Sequence, residues 1–291
     1  MIKLISDSAC DISAEDAKKY GIQILCFPIN VGDRALYDRD LPVDDFYDLL
    51  DSNDGMPVHS QLTVTYFEEV YRQAASEGYT DVIYVSINGA GSATLSNAQR
   101  AIELFAQSYP ELSMRCRIHT VDSGSYSAGI GYPVIKAAQM AQSGISADEI
   151  LEELTSMFES LEIYLGCYTL KYVKKSGRVT AAAAFAGELL GFRPVILMEH
   201  ERTKTVAKVR GDANVVKKIA EISAERIEKG AEYAVIGGRD VRYRDELASV
   251  LKKKLGYPPV HYGFRVGGVI SSNAGPDVVA AVLFKTKKQD I

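Results

Sequence analysis

The stretch DVIYVSINGAGSATLSNAQRAIELFA, residues 81–106, decides the fold of this chain. Its first part, DVIYVSI, is a short apolar run rich in β-branched and aromatic residues, which predicts a buried strand. Its last part, LSNAQRAIELFA, has apolar residues at helical spacing, which predicts a helix with one apolar face. A small polar loop with two glycines joins them. The stretch therefore predicts a strand, a Gly/Ser loop and a helix in succession.

The loop in this stretch has the features of an anion site. The first backbone N–H groups of a helix have no partner within it, and the helix dipole adds positive partial charge there. Gly89 and Gly91 allow the backbone to approach a ligand closely, and Ser92 and Thr94 add hydroxyl donors. A carboxylate or a phosphate would fit at this position. The alternative is that Ser92 or Thr94 only caps the helix, which is the commoner role for such residues.

The composition is that of a soluble globular protein with one large domain or two domains. The chain has 291 residues, of which 47% are hydrophobic and 24% charged. No apolar run approaches the roughly 20 residues that span a bilayer. The N-terminal MIKLISDSACDI has too short an apolar core for a signal peptide, so we expect a cytoplasmic protein. The four cysteines show no CxxC pattern, which predicts free thiols and no zinc site.

Charge divides the chain into two parts near residue 160. Residues 1–160 carry 10 Lys and Arg against 24 Asp and Glu, a net charge of −14. Residues 161–291 carry 23 against 14, a net charge of +9. This asymmetry predicts two domains, 1–160 and 161–291, and is consistent either with a basic surface for an acidic partner or with ordinary variation between domains. Nucleic acid is not expected, because the basic residues are scattered and no nucleic-acid motif is present.

The fold class predicted for residues 1–160 is α/β, with a mostly parallel sheet flanked by helices. Strand and helix signals alternate, which is typical of parallel sheets covered on both faces. In such sheets ligands bind beyond the carboxyl ends of the strands. Asp7, Ser92 and Asp122 all fall at such ends. The strands are predicted at residues 2–6, 22–31, 81–87 and 117–121, with helices between and after them.

Residues 161–291 predict a smaller, mixed α/β domain. A helix of small side chains is predicted at residues 181–190, and a loop at 271–276. Two longer helices are predicted at residues 213–229 and 244–255. The predicted strands are 161–168, 193–198, 203–210, 233–237, 259–266 and 278–284.

No established catalytic motif is present. The chain lacks GxSxG, a P-loop, HExxH, and GxGxxG after a strand. Asp7, Asp122 and His59 lie in predicted strand-end loops and could serve a hydrolase, although acidic residues at such positions more often stabilise turns. The four histidines are isolated in sequence, and we expect no metal site and no cofactor.

The order of these loops resembles the DegV family of bacterial fatty-acid-binding proteins, along nearly the whole chain. Asp7-Ser8 is similar to the family's opening, and Val121-Asp122-Ser123 matches a later segment. His59-Ser60-Gln61 stands where the family has Thr-Ser-Gln, and Ser92-Ala93-Thr94 where it has Ser-Gly-Thr. The remaining matches are residues 169–178, TLKYVKKSGR, which resemble Leu-x-Tyr-Leu-x-x-Gly-Gly-Arg; Arg193-Pro194; and Asn273-Ala274-Gly275-Pro276, at the place of His-Thr-Gly-Pro.

The resemblance implies a two-domain protein that encloses a long-chain fatty acid and has no main catalytic machinery of its own. It implies that the carboxylate lies at Ser92, Ala93 and Thr94, with His59, Ser60 and Asn273 completing the rim. It also implies a partner, a dihydroxyacetone-kinase-like acyl kinase that phosphorylates the bound fatty acid. Arg178, Lys174 and Lys175, with Lys171, would lie near the mouth of the pocket and face this kinase.

Three residues at the implied head-group site depart from the family pattern. His59 replaces a threonine, Ala93 a glycine and Asn273 a histidine, whereas Ser92 is retained. The sequence therefore favours a lipid carrier with an altered rim. Two alternatives stay open, namely a hydrolase that uses Asp7, Asp122 and His59, and a lipid-responsive interaction protein with a basic docking surface.

Overall fold

The computed structural model describes residues 1–183, 191–199, 202–260 and 263–284. In this part of the chain the strands are β1 (Ile2–Asp7), β2 (Gln23–Leu25), β3 (Pro28–Val31), β4 (Arg34–Tyr37), β5 (Val58–His59), β6 (Asp81–Ser86), β7 (Arg117–Asp122), β8 (Leu161–Cys167), β9 (Phe192–Glu199), β10 (Arg202–Arg210), β11 (Tyr233–Gly237) and β12 (Val278–Phe284). The helices are α1 (Ala14–Tyr20), α2 (Val43–Asp51), α3 (Val64–Ser76), α4 (Thr94–Ser108), α5 (Pro110–Ser113), α6 (Ala128–Gln142), α7 (Ala147–Glu159), α8 (Lys171–Ser176), α9 (Thr180–Ala183), α10 (Val215–Arg226), α11 (Val241–Leu255) and α12 (Gly268–Ala274). Single 3₁₀ turns lie at Ser8–Cys10 and Asp212–Asn214.

A parallel sheet forms the centre of the first part, as the sequence predicts. Its strand order is β2-β1-β6-β7, and every neighbouring pair is parallel. All six residues of β6 are buried, as expected for a strand covered on both faces. Helix α6 packs against β1 and β6, and α4 packs against β7. Because the strands are parallel, the loops after β1, β6 and β7 meet at one edge of the sheet.

The second part is built on a five-stranded antiparallel sheet of order β10-β9-β8-β12-β11. Its central strands β8 and β12 are buried at every residue. Helices α10 and α11 pack together and contact β12. The mixed α/β fold is thus confirmed, while the domain boundary at residue 160 stays a prediction.

The single strand predicted over residues 22–31 is wrong. The chain leaves the parallel sheet after β2, and Pro28 begins β3, the central strand of a small antiparallel sheet of order β4-β3-β5. Pro28 has no N–H group, so it cannot continue a hydrogen-bonded ladder in the usual way. Its carbonyl instead accepts a hydrogen bond from Ser60 N–H at 2.9 Å. This small sheet brings His59 towards the ends of the parallel strands.

Two predictions in the second part are corrected by the structure. The strand predicted over 259–266 is wrong for the residues of this segment that the structure describes. They are irregular, with a single β-bridge between Arg265 and Gly237. The loop predicted over 271–276 is largely the helix α12, which ends at Gly275 with φ 84°. The Ser271 and Ser272 hydroxyls donate to the carbonyls of Gly267 and Gly268 at 2.7 and 2.6 Å. Of the helix predicted over 181–190, residues 184–190 lie outside the described residues, as do His200 and His261.

Two buried carboxyl groups connect the parts through the segment before α12. Asp11 accepts a hydrogen bond from Gly267 N–H at 2.8 Å, and Asp38 accepts one from Gly268 N–H at 3.0 Å. The Tyr47 hydroxyl donates to the Val266 carbonyl at 2.5 Å. These contacts fix the segment that leads into α12.

Candidate ligand-binding site

A cavity lies between the antiparallel sheet and the loops that follow the parallel strands. Its empty volume is about 720 Å³, part of which is open to solvent. Its apolar walls include Ile163 and Leu165 of β8, Ile236 of β11, Ala280 of β12 and Ile270 of α12. The cavity can therefore shield an apolar chain from water.

The polar end of this cavity consists of His59, Gly91, Tyr126, Arg178 and Asn273. The positive charge of Arg178 acts on both His59 and Tyr126. Helix α12, which carries Asn273, contacts β5, which carries His59. An apolar cavity with a guanidinium group at its polar end suits an amphipathic ligand with a negative head group.

The Ser92 loop begins at this polar end. Gly91 belongs to the cavity wall, whereas Ser92, Ala93 and Thr94 follow it without lining the cavity. Ser92 Oγ donates to Thr94 Oγ1 at 2.9 Å and accepts from Thr94 N–H at 3.3 Å. Helix α4 has Ala93 at its N-cap and no side-chain cap there. The Ser92 hydroxyl thus stabilises a local turn next to the cavity, and its contact with a ligand stays a prediction.

Of the three predicted rim residues, His59 and Asn273 line the cavity and Ser60 does not. The His59 ring packs edge-on against Phe27, with 5.9 Å between ring centroids. Burial and the nearby charge of Arg178 lower the pKa of His59, so its neutral form is favoured. Asn273 Nδ2 donates to the Val269 carbonyl within α12 at 2.8 Å. Ser60 is exposed.

The resemblance implies that Arg178 lies near the mouth of the pocket and faces a partner, and in the structure Arg178 belongs to the cavity wall. Helix α8 ends at Gly177 with φ 71°, a left-handed position that turns the chain. Arg178 Nη1 then donates to the Ser176 carbonyl at 2.8 Å. Lys174 and Lys175 lie in the last turn of α8, one turn before Arg178.

Tyr126 and Ser127 line the cavity but were not singled out from the sequence. They belong to the loop between β7 and α6, after the Asp-Ser pair at the end of β7. Ser127 is buried and has φ 55° and ψ −130°, an uncommon conformation for a residue other than glycine. The only sequence signal for these residues was their position directly after a strand end.

The acidic residues considered for a hydrolase do not meet in this cavity. Asp7 is buried and accepts hydrogen bonds from Ile87 N–H, the Tyr84 hydroxyl and Ala9 N–H at 2.8, 2.9 and 3.2 Å. Burial raises the pKa of Asp7 to about 6, against the lowering effect of these donors. Asp122 accepts from Gly89 N–H at 3.0 Å and lines a separate cleft with Thr155. Both carboxyl groups shape the loops after the parallel strands.

Two further properties apply to the part of the chain that the structure describes. Its helices include none with the length and apolar character that crossing a membrane requires. Within the same ranges, no group of three or more His, Cys, Asp and Glu side chains is arranged to hold a metal ion.

Comparison with known sequences places this fold and cavity in a family. The profile described as "Uncharacterised protein, DegV family" matches residues 1–286. The DegV domain-containing protein CPE2509 of Clostridium perfringens is 30% identical over 289 residues, which cover 98% of each chain. A second C. perfringens relative, CPE0304, is 27% identical and covers 81% of this chain and 82% of its own.

Solved structures have the same fold over nearly the full length. A stearic acid-binding protein from Eubacterium ventriosum superimposes with a TM-score of 0.88 at 22% identity, covering 98% of this chain and 99% of its own. The fatty acid binding DegV family protein SAG1342 from Streptococcus agalactiae gives a TM-score of 0.81 at 25% identity, covering 99% of each chain. The sequence profile, the full-length relative and the shared fold agree, and this chain belongs to the DegV family.

Proposed function

We propose that this protein binds one long-chain fatty acid, with its acyl chain in the cavity and its carboxylate at the polar end. The observation that carries this proposal is the apolar cavity that ends beside Arg178. Burial of an acyl chain contributes roughly 0.8 kcal/mol per CH₂ group, so a long chain supplies most of the affinity. The fatty-acid ligands of the E. ventriosum and S. agalactiae proteins support the same class of ligand.

The carboxylate is held in this proposal by the start of α4 and by Arg178. Ser92 Oγ and the backbone N–H groups of Ala93 and Thr94 donate to it, and Arg178 balances its charge. The Ser92 hydroxyl reaches the ligand by exchanging its bond to Thr94 for one to the carboxylate. His59, Ser60 and Asn273 complete the rim, with His59 neutral because of its lowered pKa.

The protein then acts as a carrier and not as an enzyme. It presents the carboxylate in the cytoplasm to a dihydroxyacetone-kinase-like acyl kinase, which supplies the phosphoryl-transfer machinery. Lys174 and Lys175, in the last turn of α8 close to Arg178, face an acidic surface of that kinase. This arrangement places the docking surface beside the head group that the kinase must reach.

Extraction of the purified protein and mass spectrometry of the extract tests the proposal. We expect about one long-chain fatty acid per chain, and rebinding of an added fatty acid after delipidation. A protein that carries no fatty acid and binds none after delipidation would contradict it. The carrier role requires in addition that an acyl kinase forms acyl phosphate from the bound ligand, and that this activity disappears without the carrier.

A further inference from the structure

Tyr126 occupies a place at the polar end that the sequence comparison did not indicate. It lines the cavity together with His59, Gly91 and Arg178. The phenol oxygen lies close to the Ser92 loop, because a Cβ atom added to Gly91 would stand 2.9 Å from it. A glycine at position 91 therefore gives the phenol room to lie against the backbone of this loop.

Asn88 lies beside the phenol. The Asn88 Oδ1 atom accepts a hydrogen bond from Ala90 N–H at 2.9 Å, so its amide NH₂ group is the part of the side chain that can act as a donor. The Asn88 side chain lowers the pKa of Tyr126, which is the effect of a donor on a phenol oxygen. The phenol proton can then serve a different acceptor.

The phenol keeps its proton at neutral pH. Burial raises the pKa of Tyr126, and this effect exceeds the lowering by Asn88 and by the charge of Arg178. A protonated phenol beside a guanidinium group forms a pair of donors for one anionic group.

We propose that Tyr126 is a specificity-determining residue whose phenol, which lies beside Gly91 in the cavity wall, donates a hydrogen bond to the ligand carboxylate. This inference rests on the proposed fatty-acid function and adds a residue to it. The phenol and Arg178 approach the carboxylate from the loop after β7 and from the end of α8.

The test compares Tyr126→Phe with the parent protein after delipidation. The probes are cis-parinaric acid, a fluorescent long-chain fatty acid, and hexadecanol, which has no charged head group and is measured by displacement. Loss of one hydrogen bond to a charged group should weaken binding of the acid about tenfold or more, with a clearly smaller loss for the alcohol. Tyr79→Phe is the matched control and should bind both probes like the parent.

Gly91→Ala provides a second test of the position of the phenol. Its added methyl group meets the phenol oxygen at 2.9 Å, and its next neighbour, the Asn88 carbonyl oxygen, lies at an ordinary 3.7 Å. Made in the parent protein, Gly91→Ala should weaken binding of the acid. Made in the Tyr126→Phe protein, it should cause little further loss of binding.

Two results would overturn the inference. One is a Tyr126→Phe protein that binds the acid as tightly as the parent. The other is an equal loss of acid binding when Gly91→Ala is made in the parent and in the Tyr126→Phe protein. That result would mean that the added methyl group disturbs the loop backbone and not the phenol. A parent protein that binds no acid would instead contradict the proposed function itself, so the two failures are distinguishable.

Discussion

His59 determines how the polar end responds to acid. Burial and Arg178 lower its pKa below the ordinary value, so the folded protein binds a proton there less readily than the unfolded chain. The lowered pKa contributes to the free energy of unfolding in full above about pH 6.5, where the unfolded chain also has a neutral His59. This contribution is lost as the pH falls through the pKa of His59 in the folded protein. We therefore expect His59→Gln to lose less unfolding free energy than the parent between pH 7 and pH 5. Urea unfolding at both pH values measures this, and equal losses would contradict it.

Asp11 changes stability with pH in the direction opposite to His59. Burial raises the pKa of Asp11 to about 8, against the lowering effect of hydrogen bonds from Ser127 and Gly267, and the nearby Asp38 raises it further. The folded protein keeps this proton while the unfolded chain releases it near pH 4, so stability falls as the pH rises towards 8. Each pKa unit corresponds to about 1.4 kcal/mol.

We expect Asp11→Asn to reduce this pH dependence. The asparagine oxygen can still accept the hydrogen bond from Gly267 N–H, but the side chain has no charge to bury. Unfolding free energies in urea at pH 5 and pH 8 should therefore differ by a few kcal/mol less in the variant than in the parent. Glu15→Gln, an exposed change on α1, is the control. An unchanged pH dependence in Asp11→Asn would show that its carboxyl group ionises normally.

The sequence indicated individual site residues where a local pattern or the family resemblance singled out a position, as it did for His59 and Asn273. The glycines and serine before α4 predicted a polar loop, and the structure places Gly91 in the cavity wall. Tyr126 is not predictable in this way, because an isolated tyrosine in a loop belongs to no periodic pattern. The resemblance implies that Arg178 lies near the mouth of the pocket and faces a partner, whereas its place in the cavity wall depends on the turn at Gly177 and on packing between distant segments.

At the scale of elements, the parallel sheet was predictable from β6. Its continuous apolar run is typical of a strand that is buried on both faces, and all of its residues are buried. Helix α12 was not predictable, because Ser271, Ser272, Asn273 and Gly275 are typical turn residues. In the fold, the two serine hydroxyls donate to carbonyls of the preceding turn, so their polarity is satisfied inside a buried helix. Local composition could not show that these side chains find partners.

Close packing of α6 against the 3₁₀ turn at residues 8–10 leads to a prediction about Gly131. A Cβ atom at this position would overlap the Cys10 carbonyl oxygen and approach Phe264 Cε1 at 2.6 Å. Gly131→Ala should therefore lower the free energy of unfolding by about 1–3 kcal/mol, the usual cost of overpacking. Gly55→Ala is the matched control, because nothing lies within 4 Å of its added Cβ atom. Equal stability of the two variants in urea would contradict the packing.

At the scale of the whole molecule, the two oppositely charged parts of the sequence meet through specific ion pairs. Arg265 contacts Asp44 at 2.7 Å, and Arg239 pairs with Asp51. These pairs involve only part of the charge difference between the two parts of the sequence. The asymmetry was visible in the sequence, whereas the pairing partners depend on the tertiary fold.

Reversal of two charges on α8 tests the docking surface. Lys174→Glu combined with Lys175→Glu should slow association with the acyl kinase at low salt by about tenfold or more, because charges at an interface mainly affect the association rate. The difference from the parent should shrink as salt screens these charges. Fatty-acid content should not change. Lys252→Glu with Lys253→Glu on α11 carries the same charge change, and an equal effect of both pairs would mean that net charge alone acts.

The central claim is that a fatty-acid carboxylate lies at the loop that begins α4. Titration of the delipidated protein with cis-parinaric acid tests it, with Ser92→Ala compared against Ser96→Ala. Ser96 is an exposed serine of the same helix, and its hydroxyl donates to the Ala93 carbonyl at 2.9 Å. A hydrogen bond to a charged group contributes roughly 1.5–3 kcal/mol, so Ser92→Ala should bind about tenfold to a hundredfold more weakly, with Ser96→Ala close to the parent. Binding by Ser92→Ala as tight as that of the parent would contradict the account.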